Sequence, residues 1–192
     1  MEKQLNTHWT PLINVFTERN SKINLSAIRT ENAVYQKHIL DALEINKCYD
    51  LHVFEGKNAC DVGTWWGFPL LPLAIEYPNI NRTWIDGRRK KIHAINDMIT
   101  TLKLKNCNAK HTRIEEWNKK YSLVTARAVA FADTLLPWID HILLPWGTCI
   151  LYKWYAEHED IIIKKFGRKL IKEHHYTLAW DDVLRVIYIL RK

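Results

Sequence analysis

Cys60-Asp61-Val62-Gly63-Thr64-Trp65-Trp66-Gly67-Phe68-Pro69 is the stretch that decides the fold. Residues 58–62 read as a short strand that ends in an acid and a glycine. A tight turn follows, with glycines at 63 and 67, where the backbone can take positive φ and approach a ligand closely. Pro69, a favoured first-turn residue, opens a helix, and Tyr77-Pro78 closes it. A helix N-terminus offers free N–H groups. Twenty-five positions after Asp61 a second strand, 82–86, ends at Asp86. An acid placed there can accept hydrogen bonds from a ribose diol. Turn and acid together point to an adenosine-type cofactor; a plain strand–helix turn is the alternative.

Outward from this stretch, helices and strands alternate. Residues 88–103 form a predicted helix with Ile92, Ile95, Ile99 and Leu102 on one face. Strands are expected at 107–112, 122–126, 148–153 and 183–190, and a helix at 131–143. Repeated βα units imply a mainly parallel sheet covered by helices. Ligands of such sheets bind at the carboxyl ends of the strands. Residues 1–50 read instead as helices. Leu12, Val15 and Phe16 make one apolar stripe, and Val34, Ile39, Leu40, Leu43 and Ile45 a second. The chain divides into an N-terminal helical extension, 1–50, and an α/β domain, 51–192, in one compact unit.

Composition narrows the function. The 192 residues include 28 Lys and Arg against 21 Asp and Glu, a net charge of +7. A basic surface suits an acidic partner such as nucleic acid. No apolar run is long enough for a membrane span. The start, MEKQLNTHWT, lacks the apolar core of a secretory signal, so a cytoplasmic protein is expected. Cys48, Cys60, Cys107 and Cys149 are scattered without zinc-ligand spacing and read as reduced core residues. His174-His175, on a strand, would point to opposite faces and suit a shared metal badly. No metal is expected. The chain carries 6 Gly and 9 Trp, where average usage gives about 13 Gly.

Six ordered motifs give a resemblance to a known family. They are Asn24-Leu25-Ser26-Ala27-Ile28-Arg29, Lys37-His38-Ile39-Leu40-Asp41-Ala42-Leu43, Asp61 to Pro72, Arg113-Ile114-Glu115-Glu116, Thr125-Ala126-Arg127-Ala128-Val129-Ala130, and Leu144-Pro145-Trp146-Gly147 with Lys153-Trp154. In order and spacing they resemble the bacterial 16S ribosomal RNA guanine-N7 methyltransferases, also called glucose-inhibited division protein B. The resemblance runs from about Asn20 to the C-terminus. It implies a class I, Rossmann-like methyltransferase sheet, with S-adenosylmethionine as cofactor. The partner it implies is 16S ribosomal RNA or the small-subunit particle, and a monomeric enzyme is expected.

By this resemblance Gly63 and Phe68 line the cofactor site and Asp86 sits near the ribose. Ile114 and Glu115 hold the adenine, and Arg127 lies at the cofactor and substrate end of the fourth strand. Arg29, His38, Arg88, Arg89 and Lys153 are candidates for RNA contact. Arg88-Arg89-Lys90-Lys91 opens a helix and reads either as a solvated end or as a phosphate site. Guanine N7 carries a lone pair and no proton, so no general base is expected, and His38 is assigned to structure or RNA contact. A catalytically inactive RNA-binding relative and a small-molecule methyltransferase are the alternatives.

The chain departs from the family pattern at its tryptophans. Trp65 and Trp66 stand where the family has small residues. Trp146 and Trp154 stand on glycines, Trp180 in a Gly- or Asp-rich turn, and Leu70 on a further glycine. Two explanations compete: a paralogue that has lost cofactor binding, and UGA codons that encode glycine in one genetic code being read as tryptophan in another. Low glycine, high tryptophan and tryptophan on glycine positions all follow from the second.

Overall fold

The computed structural model describes residues 7–192 apart from Leu25, Thr64, Trp65, Ala128 and Trp180. Helix α1, Thr10–Ile23, starts with Pro11 in its first turn and ends at Asn24, whose left-handed φ of 49° closes the last turn. Thr30 caps α2, Glu31–Val34, by accepting from the Ala33 N–H. A π-helical turn, Tyr35–Ile39, joins it to α3, Leu40–Leu43. The alternating part follows as β1 Asn58–Val62, α4 Leu70–Glu76, β2 Asn81–Asp86, α5 Arg89–Thr101, β3 Cys107–His111, β4 Tyr121–Arg127 and α6 Ala132–Ile142. It closes with β5 Leu143–Trp154, α7 Glu157–Lys165, β6 Lys169–Tyr176 and β7 Arg185–Arg191.

The seven strands form one sheet in the order β3-β2-β1-β4-β5-β7-β6. The first five run parallel, and β7 is antiparallel to both β5 and β6. Chain order reverses between β1 and β4, which opens a crevice above their carboxyl ends. Side chains of the central strands alternate between the two faces. Cys60, Val124, Leu151 and Tyr188 pack with α6 and α7 on one face, while Ala59, Leu123, Ile150 and Ile187 pack with Leu51, Leu73 and Tyr77 on the other. Both faces are therefore apolar, as a helix-covered parallel sheet requires.

The N-terminal helices join the same core. Trp9, Leu12, Ile13 and Phe16 pack with Phe68, Leu71, Trp84, Ile95 and Met98. The helix α7 lies outside the sequence expectations, β6 is expected only as a strand under His174-His175, and β5 starts five residues before the expected strand. His174 and His175 do take opposite partners on β6: His174 meets Glu44 at 3.0 Å and His175 meets Glu173 at 2.5 Å. The cysteines are free thiols, with Cys60, Cys107 and Cys149 buried. No helix among the described residues is long and apolar enough to cross a membrane.

Candidate functional site

A groove of about 610 Å³ opens at the carboxyl ends of β1, β2 and β3. Its floor comes from Val62, Ile85 and the buried Ile114. Ile114 begins the short 3₁₀ turn Ile114–Glu116 that follows β3. Asp86 ends β2 with its carboxylate in the groove wall. One oxygen accepts the Arg88 N–H at 2.7 Å, and the other lies 3.5 Å from Lys91 Nζ. Glu115 is exposed and also lines the groove. Gly63 takes φ +54°, and a Cβ there would lie 2.8 Å from Val129 Cγ1, so the turn closes only around glycine. Val129 itself lines the groove, as does Trp138 of α6.

The donor set fits the nucleoside end of S-adenosylmethionine. A carboxylate is placed for a ribose diol, and branched apolar side chains offer a flat slot to an adenine. Gly63, Asp86, Ile114 and Glu115 thus come together as the sequence implies. Phe68 does not. It is fully buried, stacked on His38 at 4.7 Å and edge-on to Phe16 at 5.1 Å, and it builds the floor under the N-terminal helices rather than the groove wall. Arg127 does not join the groove either. It ends β4 and lines a second cavity of about 380 Å³ beside β5, which shares Val129 with the groove. There its Nη2 donates to Asp41 Oδ2 at 2.6 Å.

The candidates for RNA contact also separate. Arg29, Arg88 and Arg89 are exposed. Lys91 is drawn into the groove wall against Asp86, so the four-residue cationic run is not one surface patch. Lys153 lines the second cavity, bound to Glu159 at 2.5 Å and to the Ala130 carbonyl at 2.8 Å. His38 is only 2% exposed and cannot touch RNA. Burial, followed by the Arg127 charge, holds its pKa down at about 3.

That shift fixes a sign for stability. The unfolded chain binds a proton on His38 below ~6.5, whereas the folded chain does not until about pH 3. The stability due to neutral His38 is therefore full above ~6.5 and is lost as pH falls towards 3, at up to ~1.4 kcal/mol per unit. Urea unfolding is expected to show a loss of roughly 2 kcal/mol from this group between pH 7 and pH 5. His38→Phe, which keeps a ring on Phe68 and cannot titrate, should lose less. Equal losses in both proteins would refute the assignment.

Asp61 carries no groove surface. It is 1% exposed, paired with Trp84 on the neighbouring strand and within reach of the charge of an equally buried Arg82, and burial drives its pKa well above the ordinary carboxylate range. Trp66 takes φ +53° and Trp146 φ +63°, a region that bulky L residues avoid. Trp154, at the end of β5, takes no such angle and is 63% exposed. Trp65 and Trp180 lie outside the described residues.

Residues 6–179 match the profile of the GidB family, described as rRNA small subunit methyltransferase G. The chain belongs to that family. The ribosomal RNA small subunit methyltransferase G of Lachnoclostridium phytofermentans is 33% identical over 187 residues, covering 91% of this chain and 76% of its own. That of Lysinibacillus sphaericus is 31% identical, covering all of this chain and 84% of its own. Among solved structures, a SAM-dependent methyltransferase from Aquifex aeolicus aligns over 91% of this chain and 97% of its own, with a TM-score of 0.66 at 15% identity. A ribosomal protein L11 methylase from Lactobacillus delbrueckii aligns over 80% and 77%, with a TM-score of 0.61 at 18% identity. These likenesses establish the class I methyltransferase fold. Sequence reasoning did not single out Asp41, Val129, Phe131, Trp138 and Glu159, which line the groove or the second cavity. Asp41 alone had a signal, a single acid within an apolar helical stretch.

Proposed function

We propose that this member of the family transfers a methyl group from S-adenosylmethionine to guanine N7 in small-subunit ribosomal RNA. The observation that carries the reading is the groove at the switch in strand order, lined by both Asp86 and Ile114. Asp86 accepts the ribose hydroxyls. Ile85 and Ile114 enclose the adenine, and Gly63 lets the first turn close over the site. When bound, S-adenosylmethionine supplies a methyl already activated by its positively charged sulfur. Guanine N7 offers a lone pair and no proton, so the chain's residues align the two partners and exclude water. An rRNA substrate places this work in the cytoplasm. Trp66, which lines the groove, favours a second reading for the chain as it stands, RNA binding without methyl transfer.

The test is transfer of labelled methyl to 16S rRNA and to the small-subunit particle, followed by chemical scission at N7-methylguanine. A single guanine site is expected. Label at another atom, or on small molecules only, would overturn the proposal. RNA binding should weaken steeply with salt as phosphate contacts release counterions. Replacing the exposed Arg88, Arg89 and Lys90 by Ala should reduce that slope by about 2 to 3. An unchanged slope would return these cations to the role of a solvated helix end.

A further inference from the structure

We infer that the opposite edge of the sheet, where the strands begin, is a second RNA surface that grips the backbone of a duplex; the choice of RNA rests on the proposed rRNA substrate. Strands β1 to β5 run parallel, so the loops that lead into them share one edge. That edge is a strand's length, about 17 Å, from the cofactor groove. Its loops, residues 55–57, 77–80, 102–106, 117–120, 166–168 and, after β7, 192, hold seven Lys and Arg against one acid, Glu55. The loops at the cofactor edge, 63–69, 87–88, 112–113, 128–131, 155–156 and 177–184, hold two of each. Most of the chain's net charge of +7 therefore sits in loops away from the cofactor groove.

Five of those cations keep their charge uncompensated. Lys57, Lys103, Lys105, Lys119 and Lys120 are exposed, and none meets a carboxylate among the described residues. Lys120 donates to the His141 carbonyl, and Lys57 and Lys119 lie over the Phe54 and Trp117 rings at 5.6 and 5.7 Å. Glu55 is taken by His52, and Arg168 and Lys192 by Asp140. The five precede β1, β3 and β4, which with β2 are four adjacent strands, so they share a strip about 15 Å wide. Like charges in one strip repel, and a field of single sign suits a polyanion. Its chemistry follows from what the strip lacks. Single strands need rings to stack on, and Trp117 is half-buried with Lys119 over it. A lipid surface needs apolar side chains that insert, and these loops expose no large one among the described residues. Point charges without rings match the phosphates of an A-form duplex, which is recognised by shape and backbone. Such contacts position a protein and carry no choice of sequence. The groove then acts on the base, while the far edge supplies affinity for the folded RNA around it.

The experiment is fluorescence anisotropy of the full chain with an RNA duplex of about 20 base pairs and arbitrary sequence, between roughly 50 and 200 mM salt. Lys57→Gln/Lys105→Gln/Lys119→Gln, three exposed changes, should lower the slope of log affinity against log salt by about 2 to 3. At about 100 mM salt it should weaken binding tenfold or more. Lys57→Arg/Lys105→Arg/Lys119→Arg, which keeps the charge, should bind as the parent does. The charge-matched Arg19→Gln/Lys22→Gln/Lys47→Gln, whose cations are each paired with a carboxylate, should keep the parent's slope. Equal slopes in the two Gln variants would overturn the surface. So would tighter retention on phosphatidylglycerol vesicles than on the duplex, which Leu144 and Trp146, exposed at the start of β5 on the same edge, would favour. Absence of methyl transfer to 16S rRNA by the parent would instead overturn the proposed function and leave the duplex titrations readable.

Discussion

The Trp65→Gly/Trp66→Gly variant is expected to bind S-adenosylmethionine at least about tenfold more tightly than the chain as it stands, ~1.4 kcal/mol or more. Trp66 holds a left-handed φ of +53°, at a cost of roughly 1–2 kcal/mol for an L side chain. Its indole lines the cofactor groove, with Lys91 Nζ 5.4 Å from the ring centroid. The same lysine reaches Asp86. Removing the indole empties that part of the groove and releases Lys91 from its contact with the ring. Thermal stability should change little, because glycine also raises the entropy of the unfolded chain. The gain belongs to binding, and titration calorimetry measures it. Trp146 is a control. It has φ +63° and is 82% exposed, so Trp146→Gly should leave cofactor affinity unchanged. Equal affinity for the parent and the double variant would remove the first turn from the cofactor site. The gene gives an independent reading: UGA codons at 65, 66 and 146 are expected, and UGG codons would exclude the recoding explanation.

The parallel half of the sheet was legible because each strand is a short apolar run bounded by a turn residue, and each helix carries one apolar face. The antiparallel end was hidden for physical reasons. Lys169–Tyr176 is an edge strand, and its Lys-Leu-Ile-Lys-Glu-His-His-Tyr sequence shows the charge that keeps edges from pairing further. The helix Glu157–Lys165 contains three consecutive isoleucines, a β-type run. Its acids in the first turn and lysines in the last favour a helix through the macrodipole. Of the groove residues, Asp86 was legible because it ends a strand, whereas Ile114 came from the family resemblance and reads on its own as a core residue. Phe68 and His38 were misplaced for one reason. Adjacency to a motif does not say which way a side chain turns, and both turn into the core beneath α1. The second cavity draws on α3, β4, β5, α7, β6 and β7, a long-range convergence that no local pattern announces.

That convergence makes Arg127→Ala the most damaging single change expected, at roughly 3–5 kcal/mol of stability. Arg127 closes β4 and Asp41 belongs to α3, and their side chains are 12% and 3% exposed. Asp41 also accepts the Tyr176 hydroxyl at 2.8 Å and lies 3.5 Å from Arg185 Nε. One buried carboxylate thus ties the N-terminal segment to β4, β6 and β7. Truncating Arg127 leaves that buried carboxylate with Arg185 Nε at 3.5 Å and the Tyr176 hydroxyl, and the charge left under-compensated, more than the lost attraction, sets the cost. Adding Asp41→Asn to Arg127→Ala should therefore recover about half of the loss. Asp41 and Arg127 both line the second cavity, which shares Val129 with the groove, so methyl transfer should fall in both variants even where stability returns. Urea unfolding at pH 7 with parallel transfer assays separates the two effects. A cost below about 1 kcal/mol for Arg127→Ala, the range of an exposed pair, would show that the Asp41–Arg127 pair does little to hold residues 1–50 on the sheet.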